Sequence, residues 1–213
     1  MKKVDSILTY ASLLVYPIGW FTIAPIVAYG FLKICQWQPI FYWVFLAYPL
    51  WVFYNRDEAV KGTLRNDSWR RMAIFRYLAN YFPMKIHKTS ELDSSKCYIF
   101  AHFPHGCVTY CNVINFGTEA TGVSAIFPGI KVSPLTLDLN FYFPIVRECI
   151  QRLGFGSVSA ESIKYRLTKK GPGQAVSIVV GGEAEKALTD PNNPYLCKFS
   201  DRKGFVKMAL KTG

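Results

Sequence analysis

Charge of either sign is almost absent from the first quarter of this 213-residue chain. Only four residues before residue 56 are charged, namely Lys2, Lys3, Asp5 and Lys33. The stretch 7–32 has no charge at all. At about 1.5 Å per residue, a helix of that length exceeds the roughly 30 Å hydrocarbon core of a bilayer. A second uncharged run, 34–55, is rich in Trp, Tyr and Phe, which favour membrane interfaces.

We therefore predict a transmembrane hairpin over residues 1–55. Both of its ends are expected on the cytosolic side, because basic residues lie on either side of it. Prolines interrupt both runs, so a hairpin that enters one leaflet and a single span are the alternatives. A cleaved signal peptide does not fit, because the apolar run is too long and no small-residue cleavage site follows. Residues 56–213 are then the cytosolic domain.

The chain also lacks the patterns of disulfide-rich, zinc-binding and nucleic-acid-binding proteins. None of its six cysteines forms a C-x-x-C pair, which favours a reduced, cytosol-facing compartment. It has three histidines, and the two that lie close together, His102 and His105, are too few for a zinc site, so we expect no metal. No nucleic-acid motif accompanies the net charge of +11. That charge favours an anionic lipid surface, with an ordinary solvated basic surface as the alternative.

Strand and helix patterns alternate in the second part of the chain. "CYIFAH" (97–102) and "QAVSIVVGG" (174–182) are typical of buried strands that end at turns. Helical patterns lie at 147–155, 159–170 and 202–213, and a further helix is expected to begin near residue 109. This order predicts an α/β fold with a mostly parallel sheet flanked by helices. The amphipathic stretch 68–82 is expected to form a helix that lies on the membrane or packs against the core.

Two of the predicted strands end in loops that carry reactive side chains, 102–106 and 181–185. Ligands of α/β proteins bind where strands end. In the first loop, Pro104 and Gly106 form a sharp corner that can hold His105 rigidly. Histidine titrates close to neutral pH and can take a proton from an alcohol as a general base. A carboxylate such as Glu185 could hold the other ring nitrogen, whereas a surface histidine on a proline turn is the simpler interpretation.

Six segments resemble, in the same order, segments of the type-2 diacylglycerol acyltransferase family. They are "RYLANYFP", "YIFAHFPHG", "NFGTEATG", "FPGIK", "VSIVVGGEAE" and "RKGFVKMAL". The resemblance runs from about Trp69 to the end of the chain. It implies a glycerolipid-acyltransferase-like fold and a multi-pass protein of the endoplasmic reticulum membrane or the lipid droplet surface. The catalytic side would face the cytosol.

The activity implied by the resemblance is transfer of a fatty acyl group from acyl-coenzyme A to a lipid alcohol. Diacylglycerol, monoacylglycerol and long-chain alcohols are the acceptors of the family. Acyl-coenzyme A is a substrate here, and no further cofactor is implied. His105 matches the family's catalytic histidine, and Glu185 matches the glutamate of its Gly-Gly-x-x-Glu segment.

The family signature is His-Pro-His-Gly, and the matching residues here are Phe103, Pro104, His105 and Gly106. A phenylalanine therefore replaces the first histidine. His102, one position earlier, is a candidate to substitute in part for it. Three glycines are expected to offer main-chain N–H groups to the oxyanion of the reaction, namely Gly106, Gly181 and Gly182.

Other matches to the family each have a structural alternative. Thr118 and Glu119 are expected to be scaffolding or site lining, since such a pair often caps a helix. Asn140 and Arg147 match a further family segment. Arg147 could meet the phosphates of coenzyme A or form a buried ion pair. A second set of phosphate candidates comprises Arg202, Lys203 and Lys207, with a solvated helix face as the alternative.

The chain departs from the family pattern at Phe103 and at its C-terminal end, where a further strand and a longer region follow in the family. We therefore expect residues 56–213 to be the N-terminal portion of the acyltransferase domain. These departures also keep a second hypothesis open. In it, the chain is a catalytically impaired, truncated paralogue that binds lipid or forms homo- or hetero-oligomers with related acyltransferases.

Overall fold

A computed structural model describes residues 10, 24–38, 41–106, 109–188, 190, 192 and 196–212. The strands are β1 (Tyr98–His102), β2 (Lys131–Thr136), β3 (Gly156–Ser157) and β4 (Gln174–Val179). The helices before β1 are α1 (Ala24–Trp37), α2 (Phe41–Tyr54), α3 (Glu58–Lys61), α4 (Asp67–Arg70) and α5 (Ala73–Tyr81). The later helices are α6 (Tyr110–Gly117), α7 (Val123–Ile126), α8 (Val146–Arg152), α9 (Ala160–Thr168), α10 (Gly182–Lys186) and α11 (Gly204–Thr212). A 3-10 helix covers Asp138–Phe141.

The four strands form one parallel sheet in the order β1-β4-β2-β3. The predicted α/β fold with a parallel sheet and flanking helices is therefore confirmed. β1 and β4 are neighbours, and His102 pairs in register with Val179. Since parallel strands end at the same edge, the loops after β1 and β4 emerge side by side.

Each face of the sheet is covered by helices, which is why its strands are apolar on both faces. Ile99, Val176 and Ile178 face α9 and α11, which contribute the apolar side chains of Ile163, Leu167, Phe205 and Met208. Tyr98, Phe100 and Ala175 face the opposite side and pack with Phe116 of α6 and Val123 of α7. The sheet thus separates two apolar layers, and a third apolar cluster lies between α5, α6 and α8.

Strand β2 carries a proline where a central strand normally has none. It pairs with β4 through Pro134 and with β3 from Leu135 onward. Proline has no N–H to give to the ladder, so its presence usually argues against a central strand. Here it lies at the point where β2 changes partner. For this reason the sequence pattern did not predict β2.

The predicted helix over 68–82 is two helices, α4 and α5. The side chain of Asn66 caps α4 by accepting a hydrogen bond from the N–H of Trp69, and Met72 is extended. Leu78 and Ala79 are buried in a core cluster, against which Trp69 also packs. Packing against the core is therefore the alternative that the structure favours for this stretch.

The predicted hairpin over 1–55 falls partly outside the described residues, since 1–9, 11–23 and 39–40 are not among them. α1 and α2 contact each other, and each has 14 residues. Within the described part of the chain, no helix is both long and apolar enough to cross a membrane. The transmembrane hairpin is therefore not confirmed and stays a prediction.

Candidate active site

The loops that follow β1 and β4 lie next to each other at one edge of the sheet, as the sequence analysis expected. The main-chain N–H of Val180, just after β4, donates to the carbonyl of His102 at a distance of 3.2 Å. From this point the first loop continues to His105 and Gly106, and the second enters α10, which carries Glu185. His105 and Glu185, which the sequence analysis proposed as partners, are thereby brought together.

Glu185 is buried beneath the first loop and is only 1% exposed. One carboxylate oxygen accepts the main-chain N–H of His105, and the other accepts the main-chain N–H of Lys198 at 2.6 Å. Glu185 therefore holds the backbone of His105, whereas we expected it to hold the imidazole ring. The difference arises because the ring turns away from the carboxylate, towards Gly106.

The imidazole of His105 is half-buried and contacts the residue that follows it. Its Nδ1 lies 2.7 Å from the carbonyl oxygen of Gly106. A carbonyl oxygen can only accept, so Nδ1 carries the proton and Nε2 presents a lone pair. Gly106 has a φ of +63°, a conformation that glycine adopts readily and that directs its carbonyl back to the ring. This geometry suits Nε2 to accept a proton from a substrate.

Phe103, which replaces the first histidine of the family signature, forms an apolar rim beside His105. Its ring is 46% exposed and lies 5.5 Å from the ring of Phe199, measured between centroids. The Phe103–Pro104 peptide bond is cis. Phe199 was not found by sequence reasoning, because nothing in the pattern placed residues 196–199 against the first loop. Such a rim suits an apolar substrate.

His102 points to the α6 side of the sheet, where its ring lies 4.8 Å from the ring of Phe116. Burial lowers the pKa of His102 to about 4. Its Nε2 is buried and has no hydrogen-bond partner within the described residues. This environment favours a packing role for His102 over the proton-transfer role that its position in the sequence suggested.

The glycines of the two loops serve close packing as well as conformation. A Cβ on Gly181 would overlap the carboxylate of Glu185. Gly182 has a φ of +58° and begins α10. In the described part of the structure, the N–H groups of Gly106 and Gly181 make no hydrogen bond. Neither N–H is therefore already used by another residue of the described structure.

Three polar residues predicted for the site lie at or near the same edge of the sheet. Arg202 is exposed, and its Nη2 lies 3.5 Å from the carbonyl oxygen of Gly181. Lys203 is also exposed, next to the start of α11. Asn140 donates from Nδ2 to Thr136 Oγ1 at 2.6 Å, at the carboxyl end of β2. Of these three, Arg202 makes direct contact with the loop that follows β4.

Thr118 and Glu119 lie at the far end of α6, away from His105. Thr118 is fully buried, and its hydroxyl donates to the carbonyl of Ile114 at 2.5 Å. Glu119 forms an ion pair with Arg70 at 3.0 Å. Burial raises the pKa of Glu119, but hydrogen bonds from Ser124 and Arg70 together lower it by more, so the net pKa is lowered. Of the two roles considered for this pair, the structure favours scaffolding.

Arg147 connects the α/β domain to α2. It is 1% exposed, and its Nη2 donates to the carbonyl of Asn55 at 2.7 Å. Its guanidinium also lies 4.8 Å from the centre of the Trp51 ring and 3.4 Å from a carboxylate oxygen of Glu148. These contacts correspond to the buried ion pair that we considered beside a phosphate-binding role.

The family model for diacylglycerol acyltransferases matches residues 35–213. This chain belongs to that family. It is 45% identical over 163 residues to "diacylglycerol O-acyltransferase 2-like protein 6" of Homo sapiens, which covers 76% of this chain and 48% of that protein. It is 43% identical over 181 residues to "diacylglycerol O-acyltransferase 1" of Schizosaccharomyces pombe, with 83% and 51% covered. To "diacylglycerol O-acyltransferase 2" of Danio rerio it is 41% identical over 174 residues, with 81% and 48% covered.

The chain spans about half the length of the curated relatives it matches. No solved structure matches it at a significant level. The resemblance expected from six short segments is thus confirmed across most of the chain. The matched region contains both loops of the candidate site and the helices that support them.

Proposed function

We propose that this chain forms the acyl-transfer site of a membrane-bound enzyme that esterifies diacylglycerol or a related lipid alcohol with the fatty acyl group of acyl-coenzyme A. One observation supports it most. Glu185 fixes the backbone of His105, and the carbonyl of Gly106 holds Nδ1, so that Nε2 is presented as a base at the end of β1. Family membership gives the substrate class, because the relatives are named diacylglycerol O-acyltransferases.

In the proposed reaction, Nε2 of His105 removes the proton of the acceptor hydroxyl as its oxygen attacks the thioester carbonyl. A C–O bond forms and the C–S bond breaks. The leaving coenzyme A thiolate takes the proton back from the imidazolium, so the site returns to its starting state. The N–H groups of Gly106 and Gly181 are the proposed donors to the oxyanion.

The apolar rim of Phe103 and Phe199 is the proposed contact for the lipid acceptor, since it borders His105. A lipid acceptor must reach the site from a bilayer, and we propose the endoplasmic reticulum membrane as that bilayer. The largely uncharged first 55 residues and the net charge of +11 support this location.

The test is transfer of radiolabelled oleate from oleoyl-coenzyme A to diacylglycerol, monoacylglycerol or a fatty alcohol in microsomes that contain this chain or a longer form. We expect His105→Ala to reduce ester formation by about 10²- to 10⁴-fold, the usual contribution of a general base. His87→Ala is the matched control, because His87 is exposed and lies outside the site. Ester formation that survives His105→Ala would show that this histidine is not the base.

The alternative hypothesis of an impaired partner rests on Phe103, which stands where the family has a histidine. Phe103→His discriminates between the two. A gain in ester formation indicates an enzyme weakened at that position. If neither the wild-type protein nor Phe103→His forms ester, and the chain copurifies with an active acyltransferase, the partner role replaces the enzymatic one.

A further inference from the structure

A pocket of about 410 Å³ lies at the end of α6 that is remote from His105. Its lining includes Arg71, Met72, Arg76, Glu119, Gly122 and Ser124. α6 has eight residues, so its length of roughly 12 Å separates this pocket from the loop that carries His105. The pocket is therefore distinct from the candidate active site.

Two arginines line this pocket with side chains that have no partner among the residues the structure describes. The chain has nine arginines, and all of them are described in the structure. The other seven contact a carboxylate, a carbonyl or an aromatic ring, and they are Arg56, Arg65, Arg70, Arg147, Arg152, Arg166 and Arg202. Within the described part of the chain, the side chains of Arg71 and Arg76 make no hydrogen bond, ion pair or ring contact. The two guanidinium groups left unpaired thus lie in the same pocket.

The acidic side chain of the pocket does not neutralise these arginines. Glu119 is already paired with Arg70 at 3.0 Å and accepts a hydrogen bond from the hydroxyl of Ser124 at 2.8 Å. The charge of Glu119 is therefore balanced by the buried Arg70. The pocket retains the two positive charges of Arg71 and Arg76.

Gly122 lines this pocket beside open space. Gly122 has a φ of +76°, and a Cβ at this position would meet no atom within 4 Å. Guanidinium groups bind phosphate oxygens through paired hydrogen bonds, which is why arginine is common at phosphate sites. Unpaired arginines beside open space are thus suited to a phosphate-bearing ligand.

We propose that Arg71 and Arg76 bind a phosphate group, carried either by the nucleotide part of coenzyme A or by the headgroup of an anionic lipid. The inference concerns binding, and it holds whether or not the chain transfers acyl groups. The two sources share one chemistry and differ in whether the phosphate is soluble or lies in a bilayer.

The soluble source is tested by equilibrium binding of coenzyme A and of adenosine 3′,5′-bisphosphate to the full chain in nanodiscs of phosphatidylcholine. We expect Arg71→Ala with Arg76→Ala to weaken binding by roughly tenfold or more for each arginine removed. Arg71→Lys with Arg76→Lys should retain part of the affinity, since the charge stays. Binding to the wild-type protein should also weaken with salt.

The lipid source is tested by comparing binding of the chain to vesicles of phosphatidylcholine alone and to vesicles that also contain phosphatidic acid. The control is Lys164→Ala with Lys169→Ala, which removes the same charge from exposed positions in and beside α9. Loss of vesicle discrimination in the arginine variant, but not in this control, assigns the site to a lipid headgroup.

The proposal is overturned if neither coenzyme A nor the phosphatidic acid vesicles bind. It is also overturned if Arg71→Ala with Arg76→Ala loses no more affinity than the control, Lys164→Ala with Lys169→Ala. Thermal unfolding of each variant shows that it is folded, which is expected because Arg71 and Arg76 are exposed. The binding assays are repeated on His105→Ala. This variant should bind as the wild-type protein does, so failure of the transfer mechanism and failure of the phosphate site give different results.

Discussion

At the scale of single residues, the candidate site depends on the ability of the Glu185 carboxylate to accept two hydrogen bonds, one at each oxygen. Glu185 takes main-chain N–H groups from two distant parts of the chain, at His105 and at Lys198. An amide in the same place could accept one of these bonds, but its NH₂ would face the second N–H. Gly181 completes the arrangement because any side chain there would overlap the carboxylate. The Gly-Gly-x-x-Glu pattern is thus explained by packing and hydrogen bonding before any proton transfer is considered.

His102 should make the stability of the domain depend on pH. Burial lowers its pKa to about 4 in the folded protein, whereas the ordinary value is 6.5. Below pH 6.5 the unfolded chain gains a proton that the folded chain does not bind. The contribution of His102 is therefore complete above pH 6.5 and is lost as the pH falls from 6.5 to 4. Over the whole range the loss amounts to at most about 3 kcal/mol.

This dependence is measured with His102→Phe, a ring that fits beside Phe116 and does not titrate. We compare the free energy of unfolding in detergent at pH 7 and pH 5. The wild-type protein should lose about 2 kcal/mol more than His102→Phe over this interval. Other groups titrate equally in both proteins, so they cancel in the difference. Equal losses would mean that His102 is as easily protonated in the folded protein as in the unfolded chain.

At the scale of elements, the attachment of α2 to the α/β domain depends on Arg147. One guanidinium bonds to the carbonyl of Asn55, lies over Trp51 and pairs with Glu148. The hydroxyl of Tyr48 also donates to Glu148 at 3.1 Å. α2 is therefore joined to α8, which follows the 3-10 helix after β2.

Arg147→Lys should loosen α2 without unfolding the domain. A lysine ammonium cannot make the forked contacts of a guanidinium, and it stacks poorly on a tryptophan. A hydrogen bond to a charged group contributes about 1.5–3 kcal/mol. Its loss should raise the equilibrium constant for local opening of α2 roughly tenfold or more. Hydrogen exchange over 43–55 measures this increase.

Arg152→Lys, on an exposed position of the same helix, is the control. A weaker affinity for coenzyme A with unchanged exchange would instead support the phosphate role considered for Arg147.

Elements with a clear sequence pattern were predicted, and those that depend on tertiary contacts were not. β1 and β4 follow from apolar runs that end at turns, and α9 follows from the helical pattern over 159–170. β2 was missed because Pro134 is tolerated only where the strand changes partner. The same limit applies to the site. The sequence indicated that His105 and Glu185 belong together, but the choice between ring and backbone depends on the fold.

At the scale of the whole molecule, buried arginine joins segments that are distant in sequence. Arg70 is 1% exposed, and its Nη1 donates to the carbonyls of Gly117 at 2.9 Å and Leu153 at 2.7 Å. These carbonyls lie at the ends of α6 and α8, and Nη2 holds Glu119 at 3.0 Å. Burial, together with the nearby charge of Arg65, lowers the pKa of Arg70 to about 10, so it remains charged at neutral pH. One side chain thus ties α4 to two helices of the domain.

Arg70→Met should therefore destabilise the whole domain, and not α4 alone. The substitution leaves the carbonyls of Gly117 and Leu153 without their donor. It also removes the 3.0 Å ion pair of the partly buried Glu119, which among the described residues keeps only Arg65 as an ion-pair partner, at 4.0 Å. Removing one partner of a buried pair typically costs about 3–5 kcal/mol. We expect this loss in the free energy of unfolding, in one cooperative transition. Adding Glu119→Gln should recover part of it, because the carboxylate that has lost its main partner is then no longer charged. If Glu119→Gln gives no recovery in the Arg70→Met background, the cost comes from the carbonyls alone. In Arg70→Met itself, the carboxylate of Glu119 is no longer balanced by Arg70 and should also weaken phosphate binding at Arg71 and Arg76. The pocket and the core are in this sense parts of one charge arrangement.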